Sequence, residues 1–479
     1  MSPKNETARL FLSLLVTLAL LAVGWWWLTK SGAINPGNWS GNQNSPGGTA
    51  LPQQTDPKQP VKEVKDRISA GEKLLISSDA TPDKRAAVEA IAAGNYQSAI
   101  SKLEAALKSN RNDPEAQIYL NNARIGNQKS YTIAASVPIG SDPNPAREIL
   151  RGVAQAQNEV NQAGGSSNVP LKVVIADDNN DPVIAQQVAR ALVENSQVLG
   201  VVGNFGSDVT LAAGKVYQDG QLVLISPTST SVQLSGFSKY VFRTVPSDRF
   251  AASALSRYML TQLKKQKAAV FFNSKSNYSK SLKDEFTTAL FGDGGQIVAE
   301  YDFNNPSFNA ADNVNQAIIQ GADVLMLAPN SATLDQALQV VQVNDKRVKL
   351  LAGDSSYNPK TLEAGRSNAV GMVLAVPWHI LGNPNAPFTK VANDLWGGKV
   401  NWRTALAYDA TKALTAGLQR NPSRSGVQQA LSAPGFSATG SSSDIKFLPS
   451  GDRNQAVQLV TIQSGKDNPS GYEFVPVPK

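Results

Sequence analysis

Cysteine is absent from the 479 residues, and histidine occurs once, as His379. Without cysteine there is no disulfide, no thiolate metal site, no cysteine nucleophile and no lipid anchor on an N-terminal cysteine. A single histidine excludes a His-rich zinc site and an HExxH helix. A Ser-His-Asp triad would have to use His379. Strong charge is also missing. Lys and Arg number 45 against 38 Asp and Glu, and a net +7 over this length is too weak an excess to argue for nucleic acid. No Gly-Lys pair is followed by Ser or Thr, since Gly214-Lys215, Gly398-Lys399 and Gly465-Lys466 run into Val216, Val400 and Asp467. The chain therefore carries no P-loop. Asp177-x-Asn179-x-Asp181 begins like a calcium loop, but Pro182 replaces the needed glycine and Val188 the terminal acid. No metal or cofactor is expected, and no catalysis.

One long uncharged run is present. Leu10 to Leu28 reads LFLSLLVTLALLAVGWWWL, with Lys4 and Arg9 before it and Lys30 after it. At ~1.5 Å per residue such a helix nearly spans the ~30 Å hydrocarbon core. The basic flank places the N-terminus in the cytoplasm and everything beyond Lys30 outside it. A cleaved signal peptide is the rival reading, with Ala22-Val23-Gly24 as the site. Trp25, Trp26 and Trp27 suit a retained membrane interface better. Either way the remainder is exported, single-pass with its C-terminal domain in the periplasm or released there.

Residues 31–66 begin as a Gly, Asn, Pro, Gln and Ser-rich tether that cannot bury enough apolar surface to fold. Residues 67–126 read as a small all-α module. Thr81-Pro82-Asp83 and Asp113-Pro114-Glu115 are helix starts, and Gly94 is a helix stop. Gly94, Tyr96, Ala99, Ala106 and Asn112-Asp113-Pro114-Glu115-Ala116 resemble a tetratricopeptide repeat, with Arg111 where that family has proline. One repeat and part of another fall short of a self-supporting array. The module is either a helical spacer packed on its neighbour or a surface that docks a protein partner.

From Tyr131 onward, strand-like and helix-like segments alternate. Strands are expected at 131–139, 171–176, 198–202 and 222–225, with helices at 146–160, 184–193 and 209–217 between them. A second series has strands at 268–272, 297–303, 324–327 and 349–352, with helices at 250–263, 280–290, 310–319 and 334–343. Such alternation implies two doubly wound parallel sheets covered on both faces. Ligands of such sheets sit beyond the carboxyl ends of the strands, and two facing lobes make a cleft that can close on a hinge.

Ser207 opens a helix after a strand, so its hydroxyl and the free N–H groups there form an anion site. Ser226 to Ser231 bring further hydroxyls after the next strand. Asp354, beyond the strand at 349–352, supplies a carboxylate from the other lobe. An amino acid needs those two ends: hydroxyls and N–H groups for its carboxylate, an acid for its ammonium. Each residue also has a structural alternative: Ser207 as a helix cap, the Ser/Thr loop as a turn, Asp354 as a solvated loop acid. Trp378 and His379, after Pro377, are expected in packing or a hinge contact.

The stretches Val201-Val202-Gly203-Asn204-Phe205-Gly206-Ser207, Leu224 to Ser231 and Phe242-Arg243-Thr244 resemble the first lobe of type I periplasmic solute-binding proteins of ABC transporters. The branch is the leucine/isoleucine/valine-binding family. Asp177-Asp178, Asp181-Pro182, Phe272 to Ser281 and Tyr408-Asp409-Ala410 extend the match over about residues 130–465. The combination with an anchor and a repeat-like module is similar to binding proteins of cyanobacteria. The resemblance implies a two-lobed ligand-binding domain at 127–479, with lobe 1 about 131–248 and 377–450 and lobe 2 about 249–376 and 451–479. It implies that Ser207 and Thr230 bind a ligand carboxylate, that Thr228 and the neighbouring Ser229 offer loop contacts, that Asp354 meets the ammonium and that Tyr278 lines the cleft. Pro145 replaces an aromatic wall of that family and Asn330 a tyrosine, so branched-chain specificity does not carry over.

The function so implied is a non-enzymatic substrate-binding protein of an ABC importer, capturing an amino acid or a related amide or carboxylate for a membrane permease. The alternative is a membrane-anchored interaction protein, similar to cell-wall synthase activators that join helical repeats to this fold, or a ligand sensor.

Overall fold

The computed structural model of the chain describes residues 61–478 apart from 79 and 467. The apolar run Leu10–Leu28 and most of the expected tether lie outside the described residues. Among the described residues, no helix is long and apolar enough to cross a membrane.

Helices α1 (Pro82–Ala92), α2 (Tyr96–Ser109) and α3 (Pro114–Ile125) precede the two lobes. Thr81 and Asp113 accept N–H bonds from Lys84 and Ala116, and each is followed by proline in the first turn, where its missing N–H costs nothing. Helix α3 is buried along nearly its whole length. Lys84 is fully buried, with its ammonium 2.7 Å from Asp113 and 2.8 Å from Glu115. The other Glu115 oxygen accepts the N–H of Leu75 at 2.7 Å and the Tyr119 hydroxyl at 3.0 Å. This charge cluster binds the loop before α1 to α3.

The first sheet contains β1 (Ile68–Ser69), β2 (Tyr131–Val137), β3 (Leu171–Asp177), β4 (Val198–Val202), β5 (Leu224–Ser226) and β6 (Val241–Arg243) in the order β1-β3-β2-β4-β5-β6. Strands β2 to β6 are parallel, and their near-continuous Val, Ile, Leu and Ala content fits burial on both faces. Strand β1 pairs antiparallel with β3, Ile68 opposite Ala176 and Ser69 opposite Ile175. Beyond β1, Asn122 of α3 takes over as the edge partner. Its amide donates to the Val173 carbonyl at 2.7 Å and to that of Ala70 at 2.8 Å, and its oxygen accepts the Val173 N–H at 3.1 Å. The three helices are thus built onto the edge of this lobe.

The second sheet has β7 (Lys267–Phe272), β8 (Gln296–Asp302), β9 (Val324–Ala328), β10 (Lys349–Ala352) and β11 (Val373–Val376). After a two-stranded ribbon of β12 (Ala438–Thr439) and β13 (Asp444–Ile445), it is completed by β14 (Gln458–Ser464) and β15 (Tyr472–Pro476). Its order is β15-β14-β11-β10-β9-β7-β8, with every strand parallel except β14, which pairs antiparallel with both β11 and β15. The chain crosses between lobes after β6, after β11 and before β14.

The helices of the two lobes include α4 (Pro143–Gln162), α5 (Ser207–Asp219), α6 (Asn277–Gly292) and α7 (Trp402–Arg420). Helix α7 returns from the second lobe to pack on α4. The backbones approach closely at Gly152, where any Cβ would collide with the Thr404 carbonyl. The strands at 198–202 and 349–352 and the helix at 310–319 stand at the residues where the pattern placed them. Strand β6, helix α7 and the C-terminal strands were not foreseen. Helix α7 is buried around its whole circumference, so it has no apolar stripe to read.

Candidate functional site

In each sheet the strand order reverses at one point, between β2 and β4 in the first and between β7 and β9 in the second. The loops leaving the carboxyl ends there face each other across a cavity of about 310 Å³. Ser207, Thr228, Tyr278, Asn330 and Asp354 all line it. Ser229 and Thr230 are buried behind that wall.

Ser207 begins α5 after Gly206, and no side chain caps that helix. Its first-turn N–H groups are therefore open to an anion from the cavity side. The Ser207 hydroxyl oxygen accepts the Ser231 N–H at 3.3 Å and keeps its own proton to donate. Most hydroxyls of the Ser/Thr loop have another task. Ser226 donates to the Asn204 carbonyl at 3.0 Å, Thr228 to that of Phe205 at 2.8 Å, and Ser229 lies 2.7 Å from the Thr210 hydroxyl. They hold the 204–206 segment that presents Ser207. Asp178 helps from below, accepting from Ser136 at 3.0 Å and from the Asn204 amide at 2.7 Å. Burial pushes its carboxyl up to about 6. The buried Thr230 hydroxyl lies beside the buried Asp248 carboxyl, and the two interact through their side chains.

Asp354 is 9 % exposed and follows β10. Burial raises its pKa to about 6, opposed by a hydrogen bond from Tyr278 and the charge of Arg403. Tyr278 is in turn 3.3 Å from the Ser355 hydroxyl, and burial drives its own pKa well up. Asn330 lines the cavity, but its oxygen already accepts from Asn273 and from Thr333, each at 2.9 Å.

The lobes touch beside the cavity. Asp208 of the first lobe accepts the Asn277 N–H at 3.1 and 3.2 Å, at the start of α6 in the second lobe. Ser281 of α6 accepts the Val232 N–H at 3.0 Å. A carboxylate at a helix N-terminus is the favourable sign for the helix dipole.

Sequence reasoning passed over Phe205, Trp402 and Arg403 as cavity walls. Arg403 is a cation in the first turn of a helix, where the dipole disfavours it. That misplacement was the available signal, hidden because α7 itself was not recognised. Trp378 and His379 lie away from the cavity. Trp378 packs edge-on against Phe388, with centroids 5.8 Å apart. His379 accepts the Leu381 N–H through Nδ1, and burial lowers its pKa to about 4, so it is a neutral packing residue. Among the described residues no cluster of acids or histidines could hold a metal ion. Asp177 pairs with Arg67 at 2.9 Å, and Asp181 caps a helix.

The family described as periplasmic binding protein matches residues 131–468, more than two thirds of the chain. An amino acid binding protein of Pseudomonas aeruginosa is 33 % identical over 147 residues, 30 % of this chain and 39 % of that protein. The chain thus spans well under half the length of that relative. A Leu/Ile/Val-binding protein homolog of Brucella melitensis is 26 % identical over 279 residues, 57 % of this chain and 74 % of the other. In fold, a crystal structure of a leucine binding protein from Thermotoga maritima superposes with a TM-score of 0.63 at 20 % identity, covering 72 % of this chain and 97 % of that one.

Proposed function

The chain belongs to the periplasmic binding protein family, whose members bind solutes and are not enzymes, and from that premise we propose that it captures an amino acid, or a related small amide or carboxylate, outside the cytoplasmic membrane for an ABC permease. One observation carries this reading. A single cavity joins an uncapped helix start at Ser207, from one lobe, to the carboxyl of Asp354, from the other. The first suits an α-carboxylate and the second an α-ammonium. Their separation on two lobes makes the ligand the bridge.

The mechanism follows from differential contact. A ligand held by Ser207 alone leaves the lobes free to part, whereas one that also meets Asp354 and Tyr278 gains contacts only when they are together. The ligand thereby favours the closed form by the free energy of those added contacts. The Asp208 to Asn277 and Ser281 to Val232 bonds add to closure without touching the ligand. The amino acid named for the Pseudomonas relative and the leucine, isoleucine and valine named for the Brucella relative support the ligand class. In this reading the run at 10–28 is the membrane anchor that replaces a lipidated cysteine, and α1 to α3 are a degenerate tetratricopeptide-like pair serving as a spacer.

The test is a thermal-shift panel of amino acids, their amides and short carboxylates on the purified full chain. At least one member of the panel should raise the unfolding midpoint saturably, as mass action requires. A folded protein that responds to none of them would overturn the proposal.

A further inference from the structure

We propose that the ligand is an acidic amino acid, a dicarboxylate whose side-chain carboxylate is held by Arg403. This inference rests on the amino-acid reading above and specifies it.

Arg403 lines the cavity at the start of α7 and is 4 % exposed. Its guanidinium stacks on Trp402, 4.4 Å from the ring centroid, and lies 5.8 Å from that of Phe205. These rings set its plane. Its Nη1 donates to the Tyr357 carbonyl at 3.3 Å, whereas its Nε has no partner among the described residues. Among those residues, no carboxylate stands within ion-pairing distance of it, although Asp354 and Glu148 are near enough to act on its charge. A buried guanidinium with an orphaned N–H is costly unless something else completes it.

The charge inventory says what completes it. The cavity offers two places for an anion, the helix start at Ser207 and Arg403. Of its two carboxylates, Asp354 is buried and open to a cation, whereas Asp208 is only half-buried and already accepts the Asn277 N–H across the cleft. A neutral amino acid has one carboxylate and one ammonium, and would satisfy Ser207 and Asp354 only. An aliphatic side chain would then press against Arg403, excluding water and supplying no acceptor. A second carboxylate satisfies all three, with the flat fork of the guanidinium matched to two oxygens. Lys275, at the cavity rim, adds a positive charge at the entrance. A cavity of about 310 Å³ is near the small end for ligand sites, the size for one amino acid and not a peptide.

Calorimetric titration of the full chain with L-glutamate, L-aspartate and L-leucine tests this. One of the two acidic amino acids should bind at least ~10-fold more tightly than leucine, the scale of a charge-assisted hydrogen bond. In Arg403→Met the ratio of acidic to leucine affinity should fall ~10-fold or more, and Arg403→Lys should restore part of it. Leucine binding as tightly as both acids to the unmodified protein overturns the inference while leaving amino-acid binding intact, and needs no variant to fold. An unchanged ratio in a folded Arg403→Met protein also overturns it. Binding of no amino acid at all removes the amino-acid reading and this inference together.

Discussion

Replacing Asp354 by Asn should make the empty protein more stable and the ligand weaker-bound. Burial raises the Asp354 carboxyl from its ordinary 3.8 to about 6, despite the opposing pull of Tyr278 and Arg403. A rise of that size corresponds to ~3 kcal/mol of stability lost on ionisation. The sign follows from proton uptake. Between pH 4 and 6 the native state holds this proton while the unfolded chain has released it. Stability therefore falls as pH rises through that window, and the whole penalty is present above about pH 6. Asparagine mimics the protonated acid and carries no such penalty. Water entering the cavity relaxes part of it, so a gain of ~1–3 kcal/mol is expected at pH 8 and little below pH 4. Urea unfolding followed by tryptophan fluorescence at the two pH values measures the difference. Asp178, raised to about 6 by burial, contributes the same slope to both proteins and cancels in the comparison. Asp248, raised to about 7 by burial and by the neighbouring Asp354 charge, is relieved of that charge in the variant and adds to its gain at pH 8. A variant that is less stable at pH 8, or shifted equally at both pH values, would refute the argument. Its affinity for any amino acid that binds the unmodified protein should fall at least ~10-fold, the cost of losing a charged partner.

Two further outcomes are expected. Lys84→Met leaves Asp113 and Glu115 buried without their cation, and breaking such a pair costs ~3–5 kcal/mol; limited proteolysis should show cleavage opening within residues 70–125 before the lobes are cut. Asp208→Ala removes the acceptor for the Asn277 N–H across the cleft, worth ~1–2 kcal/mol at a helix start; ligand affinity should drop ~5- to 30-fold, mostly through faster release in stopped-flow experiments.

Much of the architecture was legible because parallel strands covered on both faces are short, apolar and separated by amphipathic helices. The strand at 324–328 and the helix at 310–319 are of this kind. What escaped lacks a one-sided pattern. Helix α7 is buried all round, and β6 is only three residues long. Within the site, residue type and position after a strand brought Ser207 and Asp354 forward. They could not separate Thr228, on the cavity wall, from Ser229 and Thr230 behind it, because adjacent loop residues point different ways. Nor could they reveal Arg403, whose place depends on how α7 returns to the first lobe, a contact between residues 256 apart in sequence such as Thr404 with Glu148.

The grafting of the N-terminal helices onto one sheet edge gives the molecule a fixed frame. Residues 68 and 69 extend the first lobe's sheet, and Asn122 completes the hydrogen bonds of its edge strand at Val173. Among the described residues no such tie reaches the second sheet. A hold on the chain at residue 61 is therefore a hold on the first lobe, and in the proposed closure the second lobe is the part expected to swing. The edge of β3 is also occupied, so no foreign strand can pair there.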